Sequence, residues 1–227
     1  MERDKPTYIT FILNLHYNHE VHPLLALLLF TVLSPLFLII SIILKFTSGS
    51  PVVFSQKRMG KDRKVFTMYK FRTMVPEAED LKKRYQHLNE ASGPVFKIHD
   101  DPRYTKFGKF LSHTGLDELP QLINIIKGEM AFVGPRPLPV DEARKVPGKY
   151  DTRFSVLPGI TSSWVTQGSH SMPFDDWMAL DVRYAKSHTS GEDMSIVFRT
   201  LLLVIRSLVA SLVAGCASSR SISKKST

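Results

Sequence analysis

Hydrophobic and polar positions divide the chain into a long apolar run, a basic middle and a second apolar run near the end. The first run, Leu24 to Leu44, contains 21 residues without a charge. As an α-helix it would be about 32 Å long, which matches the hydrocarbon core of a bilayer. The pattern therefore predicts a helix in the membrane. Length and hydropathy alone favour one spanning helix over a helix that re-enters the same leaflet.

Ser34 and Pro35 stand at the centre of this apolar run. Pro35 has no N–H to donate to the carbonyl of Thr31, so we predict a kink or break there. The bases that follow the run outnumber those before it, which predicts that its C-terminal side is cytoplasmic. The charge pattern leaves the location of the N-terminal side open.

The next segment, residues 51–74, predicts a β-hairpin with a turn near residues 59–64, because apolar and basic positions partly alternate on each side. Between Lys57 and Arg72 seven bases meet one acid. Lys70 and Arg72 are two positions apart, so on a strand they would share a face. Contact with phospholipid headgroups explains most of this basic cluster as well as a binding site does.

Three later elements follow from the pattern. A helix is predicted to start at Pro76, and a second helix is predicted over about residues 118–126. The second apolar run, residues 194–215, carries Arg199 and Arg206 on one helical face, which favours an amphipathic helix on the lipid surface over a second span. The last residues, 216–227, are predicted to be a disordered basic tail.

Composition narrows the chemistry. Hydrophobic residues make up 43% of the 227 positions, and the net charge of +9 indicates an anionic partner. With Cys216 as the single cysteine, disulfide frameworks and thiolate metal clusters are excluded, so a metal would bind oxygen or imidazole. The histidines at the N-terminal end of the apolar run need no metal to explain them. These are His16, His19 and His22.

Asp117 and Glu118 are the first candidates for catalysis. Pro120 is typical of a helix's first turn, which would place both carboxylates at a helix start, where backbone N–H groups attract phosphate. Neighbouring residues diverge by about 100° on a helix, so the pair would divide two roles. One carboxylate could act as nucleophile while the other holds Mg²⁺ or a proton. The alternative is an ordinary helix cap.

Arg136 is the second candidate, because Pro135 and Pro137 bracket it and fix the backbone that presents its guanidinium. A rigid guanidinium suits bidentate contact with phosphate. The alternative for this motif is a surface turn.

Taken together, these motifs resemble the bacterial sugar transferases, also called monotopic phosphoglycosyl transferases. The resemblance covers about residues 23–205 and depends on several motifs in a fixed order. They are Ser34-Pro35, Gln56-Lys57-Arg58 with Gly60, residues 69–74, Asp101-Pro102-Arg103, residues 116–122, residues 134–137 and residues 158–161.

The resemblance implies an α+β fold, mainly α, in which a re-entrant membrane helix precedes a small cytoplasmic catalytic domain with a short β-hairpin and interfacial amphipathic helices. The implied units are an N-terminal flank (1–22), a re-entrant helix broken at Ser34–Pro35 (23–45), a catalytic domain (46–193), an interfacial helix (194–215) and the tail (216–227). Both ends of the membrane helix would then be cytoplasmic, which replaces the spanning interpretation.

The activity implied by the resemblance is a Mg²⁺-dependent transfer of a phosphosugar from a UDP-sugar to polyprenyl (undecaprenyl) phosphate, with release of UMP. It would start surface-glycan assembly at the bacterial inner membrane, with the active site on the cytoplasmic face. Asp117 would be the nucleophile that carries the phosphosugar, and Glu118 its acidic partner. The pair would hold the Mg²⁺. Phosphate contacts are assigned to Arg136, Lys70, Arg72 and Arg103.

Two positions depart from the family pattern. Ser112 and Ser169 stand where members usually have arginine, which affects the expected donor-phosphate contacts or sugar preference. Membrane phospholipid is an expected partner, and the sequence leaves a homo-oligomer open. The rival hypothesis is a non-catalytic basic membrane protein that binds anionic lipid or recruits glycan enzymes. A soluble nucleic-acid-binding protein is not expected, because that function does not explain the uncharged run from Leu24 to Leu44.

Overall fold

The structure, a computed structural model, describes residues 21–167 and 172–223. Several positions considered above lie outside these ranges. They are His16, His19, Ser169, His170, most of the N-terminal flank and residues 224–227 of the tail.

Within the described residues the fold is mainly helical with a small sheet. The helices are α1 (Val21–Ser48), α2 (Ala78–Arg84), α3 (Lys106–Thr114), α4 (Leu122–Ile126), α5 (Val140–Ala143), α6 (Phe174–Ser187) and α7 (Ser190–Ser223). The strands are β1 (Val53–Met59), β2 (Val65–Phe71), β3 (Ala131–Val133), β4 (Leu138–Pro139) and β5 (Gly159–Thr161). Short 3₁₀ segments join them at Lys61–Arg63, Gln86–Leu88, Leu116–Gln121, Gly148–Phe154 and Val165–Gln167.

The predicted hairpin is confirmed by β1 and β2, which pair antiparallel from Val53 opposite Phe71 to Met59 opposite Val65. Two features of the sheet structure were not predicted. Strand β4 adds to β1, and β3 pairs with β5 in parallel. Both additions involve strands of two or three residues, which are too short to show a period in the sequence.

The long apolar helix is also confirmed, as α1. One stripe of α1 packs on the catalytic part of the chain, because its inward residues recur at spacings of three and four. These are Ala26, Phe30, Leu33, Phe37, Ile40 and Leu44. The remaining faces of α1 expose other large apolar side chains, including Leu28, Val32 and Leu38. A helix that is apolar all round and covered on one side suits a lipid environment on the others.

Helix α1 is continuous through Ser34 and Pro35, so the predicted break does not interrupt the helix. The reason lies in the serine. Its hydroxyl donates to the carbonyl oxygen of Thr31 at 2.8 Å, the acceptor that Pro35 leaves without a backbone donor. The side chain thus compensates for the missing backbone hydrogen bond inside the helix.

Helix α7, Ser190–Ser223, begins before the predicted 194–215 segment and continues beyond it. It and α1 are both long and apolar enough to cross a membrane, over Ser190–Ser211 and His22–Ser48 respectively, judged by length and composition. Large apolar side chains are exposed along α7, for example Phe198, Leu201 and Ile205.

The helix predicted from Pro76 starts slightly later, as α2 at Ala78. The helix predicted over residues 118–126 needs a larger correction. Its first part is the 3₁₀ segment Leu116–Gln121, and only Leu122–Ile126 is α-helical. Gly115, in the left-handed region at φ 74°, ends α3 and starts this tighter turn. Pro120 lies inside this 3₁₀ segment. Its missing N–H therefore interrupts no series of α-helical hydrogen bonds.

The backbone of helix α3 at Gly108 packs directly against the backbone of Thr73, just after β2. Only the absence of a side chain at Gly108 makes this close approach possible. A Cβ at position 108 would fall 1.9 Å from the carbonyl oxygen of Thr73. Thr105 caps α3 by accepting from the N–H of Gly108 at 3.0 Å, and its own N–H donates to Thr73 at 3.0 Å. The 3₁₀ segment Leu116–Gln121 that follows α3 is therefore fixed relative to the hairpin.

Candidate active site

The 3₁₀ segment Leu116–Gln121 places Asp117 and Glu118 beside the end of the hairpin. Lys70 of β2 donates to Glu118 Oε1 at 2.6 Å and to Asp117 Oδ2 at 3.4 Å. Arg136 donates to the same Glu118 oxygen at 3.1 Å. Three segments far apart in the sequence therefore supply two carboxylates and two cations to one cluster, which we call the acidic-pair site (Lys70, Asp117, Glu118 and Arg136).

The acidic-pair site is largely withdrawn from water. The side chains of Asp117 and Glu118 are 7% and 17% exposed, and those of Lys70 and Arg136 are 15% and 31% exposed. Low local polarity makes charge interactions in such a cluster stronger than on the surface. The arrangement therefore concentrates positive charge beside a carboxylate that could attack an anion.

The two carboxylates have opposite pKa shifts. Burial raises the pKa of Asp117, and the charge of Glu118 acts in the same direction against the opposing effect of Lys70. Burial also acts to raise the pKa of Glu118, but Lys70 and Arg136 outweigh it and lower that pKa to about 2. Glu118 is thus held as a permanent anion, while Asp117 is the more basic member of the pair. A division of roles between the carboxylates follows from their surroundings.

The backbone that carries Arg136 is fixed from two sides. Gly134 donates to the carbonyl of Thr161 at 3.0 Å, which continues the β3–β5 pairing. The guanidinium of Arg153 donates to the carbonyl oxygen of Arg136 at 2.8 Å, and that of Arg58 donates to the carbonyl oxygen of Pro137 at 2.9 Å. The predicted rigidity of the proline-bracketed arginine is thus reinforced by tertiary contacts.

Sequence reasoning missed two cations near Arg136. Burial, followed by the charge of Arg136, lowers the pKa of Arg58 to about 10 and that of Lys97 to about 8. Arg58 Nε is buried and has no hydrogen-bond partner among the described residues. The motif Gln56-Lys57-Arg58 could have indicated a functional role for Arg58. The sequence around Lys97 contains no such motif.

Tyr104 is a further residue that the sequence did not indicate. Its hydroxyl lies 2.9 Å from Ser112 Oγ. Ser112 is the residue that stands where the family pattern has arginine. Burial raises the pKa of Tyr104, and the charge of Asp117 adds to the effect. A neutral hydroxyl pair therefore lies beside the acidic-pair site.

Arg72 and Arg103, both predicted to bind phosphate, point elsewhere. Arg72 donates to the carbonyls of Ser48, Gly49 and Ser50, at 2.7 Å for Gly49 and 3.1 Å for Ser50, where α1 ends. Among the described residues, neither arginine is hydrogen bonded to the acidic pair. Lys70 and Arg72 were predicted to share one face of the strand, but Lys70 binds the acidic pair whereas Arg72 binds backbone carbonyls.

Arg103 forms a buried ion pair with Asp101, with Nη2 to Oδ2 at 2.6 Å and Nε to Oδ1 at 2.9 Å. Its remaining donor reaches the carbonyl of Ala78 at 2.8 Å. Both predicted phosphate ligands thus have structural hydrogen-bond partners.

The acidic pair offers suitable donors for Mg²⁺, which prefers oxygen ligands. The hydrogen bonds described for the pair use Asp117 Oδ2 and Glu118 Oε1. Asp117 Oδ1 and Glu118 Oε2 take no part in them. Carboxylate oxygens therefore remain for a cation or a phosphorus centre.

The apolar helix α7 contacts α3 and β5. Ser207 donates to the carbonyl of His113 at 2.6 Å, and the hydroxyls of Thr200 and Thr161 lie 2.6 Å apart. Helix α1 packs on the other side through the apolar clusters around Phe71 and Leu122. Both long apolar helices, α1 and α7, therefore pack on elements that carry or adjoin the acidic-pair site.

Comparison with known proteins agrees with this picture. A family described as "Bacterial sugar transferase" matches residues 17–207. The chain is 42% identical over 158 residues to a galactosyl transferase, CpsE, of Streptococcus agalactiae, covering 69% of this chain and 35% of the relative. It is 36% identical over 166 residues to an undecaprenyl-phosphate galactose phosphotransferase of Salmonella typhimurium, covering 70% and 34% respectively.

A third relative matches along most of its own length. It is the exopolysaccharide production protein ExoY of Rhizobium meliloti, 36% identical over 180 residues, with 78% of both chains covered. The chain spans about a third of the length of the first two relatives. The chain belongs to the bacterial sugar transferase family, as the order of its motifs predicted.

Proposed function

We propose that the protein transfers a phosphosugar from a UDP-sugar to polyprenyl phosphate through a covalent intermediate on Asp117, at the cytoplasmic face of the bacterial inner membrane. The product would be a polyprenyl diphosphosugar, the starting point of a surface glycan. The observation that carries the proposal is the acidic-pair site, in which the buried and comparatively basic Asp117 contacts Lys70 and lies next to Glu118, which pairs with both Lys70 and Arg136.

In the first step, an oxygen of Asp117 attacks the β-phosphorus of the donor. An O–P bond to the aspartate forms, the bond between that phosphorus and the bridging oxygen breaks, and UMP leaves with the bonding electrons. Lys70 and Arg136 offset the phosphate charge that would otherwise repel a carboxylate. Glu118 holds both cations in place, since one of its oxygens accepts from each.

In the second step, an oxygen of polyprenyl phosphate attacks the phosphorus of the aspartyl phosphosugar. The bond from phosphorus to Asp117 breaks, which restores the carboxylate and releases the lipid-linked product. Splitting the transfer through a covalent intermediate lets one site serve a water-soluble donor and a membrane-bound acceptor in turn. The packing of α1 and α7 on elements that carry or adjoin the site supports access to the acceptor.

Asp117 and Glu118 would hold Mg²⁺ through the carboxylate oxygens that the described hydrogen bonds leave available. The cation would supply charge neutralisation at the donor diphosphate. Arg58 and Lys97 add positive charge near Arg136 and are further candidates for the donor's phosphates.

A donor panel with undecaprenyl phosphate tests the proposal. Purified protein in lipid nanodiscs receives UDP-glucose, UDP-galactose or an N-acetylated UDP-sugar, and UMP is measured with and without the acceptor. We expect UMP release over many turnovers from at least one donor, dependent on Mg²⁺ and on the acceptor, and no more than one equivalent of UMP per protein without the acceptor. Folded protein that binds lipid vesicles but releases no UMP from any donor would favour the rival, non-catalytic hypothesis.

The proposal includes a re-entrant α1 with both ends in the cytoplasm. In support, Pro35 removes a backbone hydrogen bond, which commonly bends a helix, while Ser34 satisfies the carbonyl of Thr31 and keeps α1 continuous. Cysteines introduced at position 16 and position 48 in a Cys216→Ser background should both resist a membrane-impermeant thiol reagent added to intact cells. Labelling at position 16 from outside would instead show that α1 spans the membrane.

A further inference from the structure

A cluster of metal-ligating side chains lies on the surface behind the acidic-pair site. His99 and Asp100 are adjacent in the loop that precedes α3, and His113 is in the last turn of α3. One ligand atom from each of the three side chains can be chosen such that all lie within 4.8 Å of one another. Asp100 Oδ1 and His113 Nε2 are 3.6 Å apart, and the two imidazole rings are stacked with centroids 5.0 Å apart.

These separations are close to those of a coordinated ion. Zinc binds nitrogen and oxygen at about 2.0–2.2 Å, so two ligand atoms of a tetrahedral site lie about 3.3 Å apart. The Asp100–His113 distance is already near that value. The rings of His99 and His113 are stacked within 10° of parallel, so the His99 ring would have to turn until its nitrogen faces the same ion as that of His113. Rotation about side-chain bonds provides this because His99 is exposed.

The backbone that presents these ligands is held firmly. Asp101 and Arg103, the buried ion pair described above, follow His99 and Asp100 directly. His113 is held by the hydrogen bond from Ser207 of α7 to its carbonyl, and the ring of Tyr104 meets its imidazole edge-on at 6.1 Å. Ligands that project from a fixed frame lose little conformational entropy on binding.

We propose that His99, Asp100 and His113 form a binding site for a first-row transition metal ion of the zinc type. Two imidazoles and one carboxylate leave at least one coordination position for water or an external ligand. Imidazole suits zinc, copper and nickel, whereas magnesium prefers oxygen alone, so this site is chemically distinct from the Mg²⁺ site proposed at Asp117 and Glu118. Occupancy would tie the loop of residues 92–103 to the last turn of α3 at His113, four residues before the proposed nucleophile.

Lys109 competes with the metal in this arrangement. Its ammonium lies 2.8 Å from Asp100 Oδ1, and this hydrogen bond, more than any other influence, lowers the pKa of Asp100. The lysine side chain is 48% exposed and can turn into solvent. Removing its charge should therefore strengthen metal binding, whereas a lysine without such a contact should have no effect.

Zinc titration of the full-length protein in nanodiscs, read with a chromophoric chelator in excess Mg²⁺, tests the site. Wild type should bind one more equivalent of Zn²⁺ than His113→Gln or His99→Gln, a difference that allows for zinc bound elsewhere. Lys109→Gln should bind that equivalent about two- to fivefold more tightly, as expected for the loss of an exposed ion pair. His87→Gln, a histidine outside the cluster, is the matched control and should bind as wild type does.

Substitution with Co²⁺ gives a second readout, because absorption in the visible region reports a low-coordinate site with imidazole ligands. The absorption should be lost in His113→Gln while thermal stability in the absence of metal stays near that of wild type. Equal zinc stoichiometry in wild type and both histidine variants would overturn the proposal. The measurement involves no sugar transfer, so its outcome is independent of the proposed function.

Discussion

Two buried clusters of acid and base in this protein serve different purposes. In the Asp101–Arg103 pair, one carboxylate meets one guanidinium two residues away, and both carboxylate oxygens accept from it. In the acidic-pair site, two adjacent carboxylates meet two cations from distant segments, and the described hydrogen bonds use one oxygen of each acid. In the first cluster both carboxylate oxygens of Asp101 are used by Arg103. In the second, one oxygen of each carboxylate remains able to accept.

The difference separates a structural ion pair from the pair that we propose to be reactive. Burial by itself does not separate them, because Asp101 and Asp117 are 5% exposed alike. What separates them is the balance of charge and hydrogen bonds around each carboxylate. An acid with unused oxygens, a raised pKa and neighbouring cations is prepared for an anionic substrate.

The largest effect on activity is expected from Asp117→Asn. Loss of the nucleophile should reduce turnover about a thousandfold or more, and intact-mass measurement with donor alone should show no phosphosugar adduct. Glu118→Gln should also be severely impaired, yet it keeps the nucleophile and should still show adduct. Turnover by the Asn variant at the wild-type rate would remove Asp117 from the mechanism.

Lys70→Met should weaken activity about a hundredfold and change its pH dependence. Lys70 lowers the pKa of Asp117, so its removal raises that pKa further. The nucleophile must be ionised, and the acid limb of the pH profile of kcat/KM should therefore move to higher pH. Lys64→Met, which removes an exposed base from the same hairpin, should leave the profile in place. An unchanged acid limb in Lys70→Met would argue that another group controls it.

Tyr104→Phe should have a smaller effect, on donor binding. It removes a hydroxyl hydrogen bonded to Ser112 beside the acidic-pair site, which corresponds to about fivefold for one hydrogen bond. We expect the donor KM to rise and kcat to stay close to wild type. Ser112→Ala should behave alike if the two hydroxyls act together. An effect confined to thermal stability would mean that the hydroxyl pair is structural.

Asp101→Asn should leave turnover per folded molecule nearly unchanged and act on stability instead. It leaves Arg103 buried without its charged partner, at a cost of about 3–5 kcal/mol in the free energy of unfolding. Urea titration of the nanodisc-bound protein would measure the loss. If a folded Asp101→Asn variant failed to form the aspartyl adduct, the contrast between the two clusters would not hold.

Local patterns were sufficient to predict the hairpin, the apolar helix and the candidacy of Asp117 and Glu118. They could not predict which bases meet the acids, because Lys70 and Asp117 are 47 positions apart and only the packing of β2 on the 3₁₀ segment joins them. For the same reason, the sequence could not predict the hydrogen-bond partners of Arg72 and Arg103. A guanidinium that binds backbone carbonyls or a nearby aspartate has no sequence signature that separates it from one that binds phosphate.

The short elements were beyond sequence reasoning for a related reason. Strands β3 and β5 have three residues each, yet their parallel pairing aligns the Arg136 loop with Thr161. The 3₁₀ turn at Leu116–Gln121 was expected as an α-helix, since proline and acids mark a first turn of either kind.

The packing of α1 has a consequence for how the protein is made. Ala26, Ile40 and Leu44 complete apolar clusters whose other members come from the hairpin, α3 and α4. Helix α1 leaves the ribosome first, but its partners on the catalytic side are synthesised later. The final packing of α1 therefore waits until these elements have been synthesised, and under the proposed function it would form at the membrane that holds the lipid acceptor.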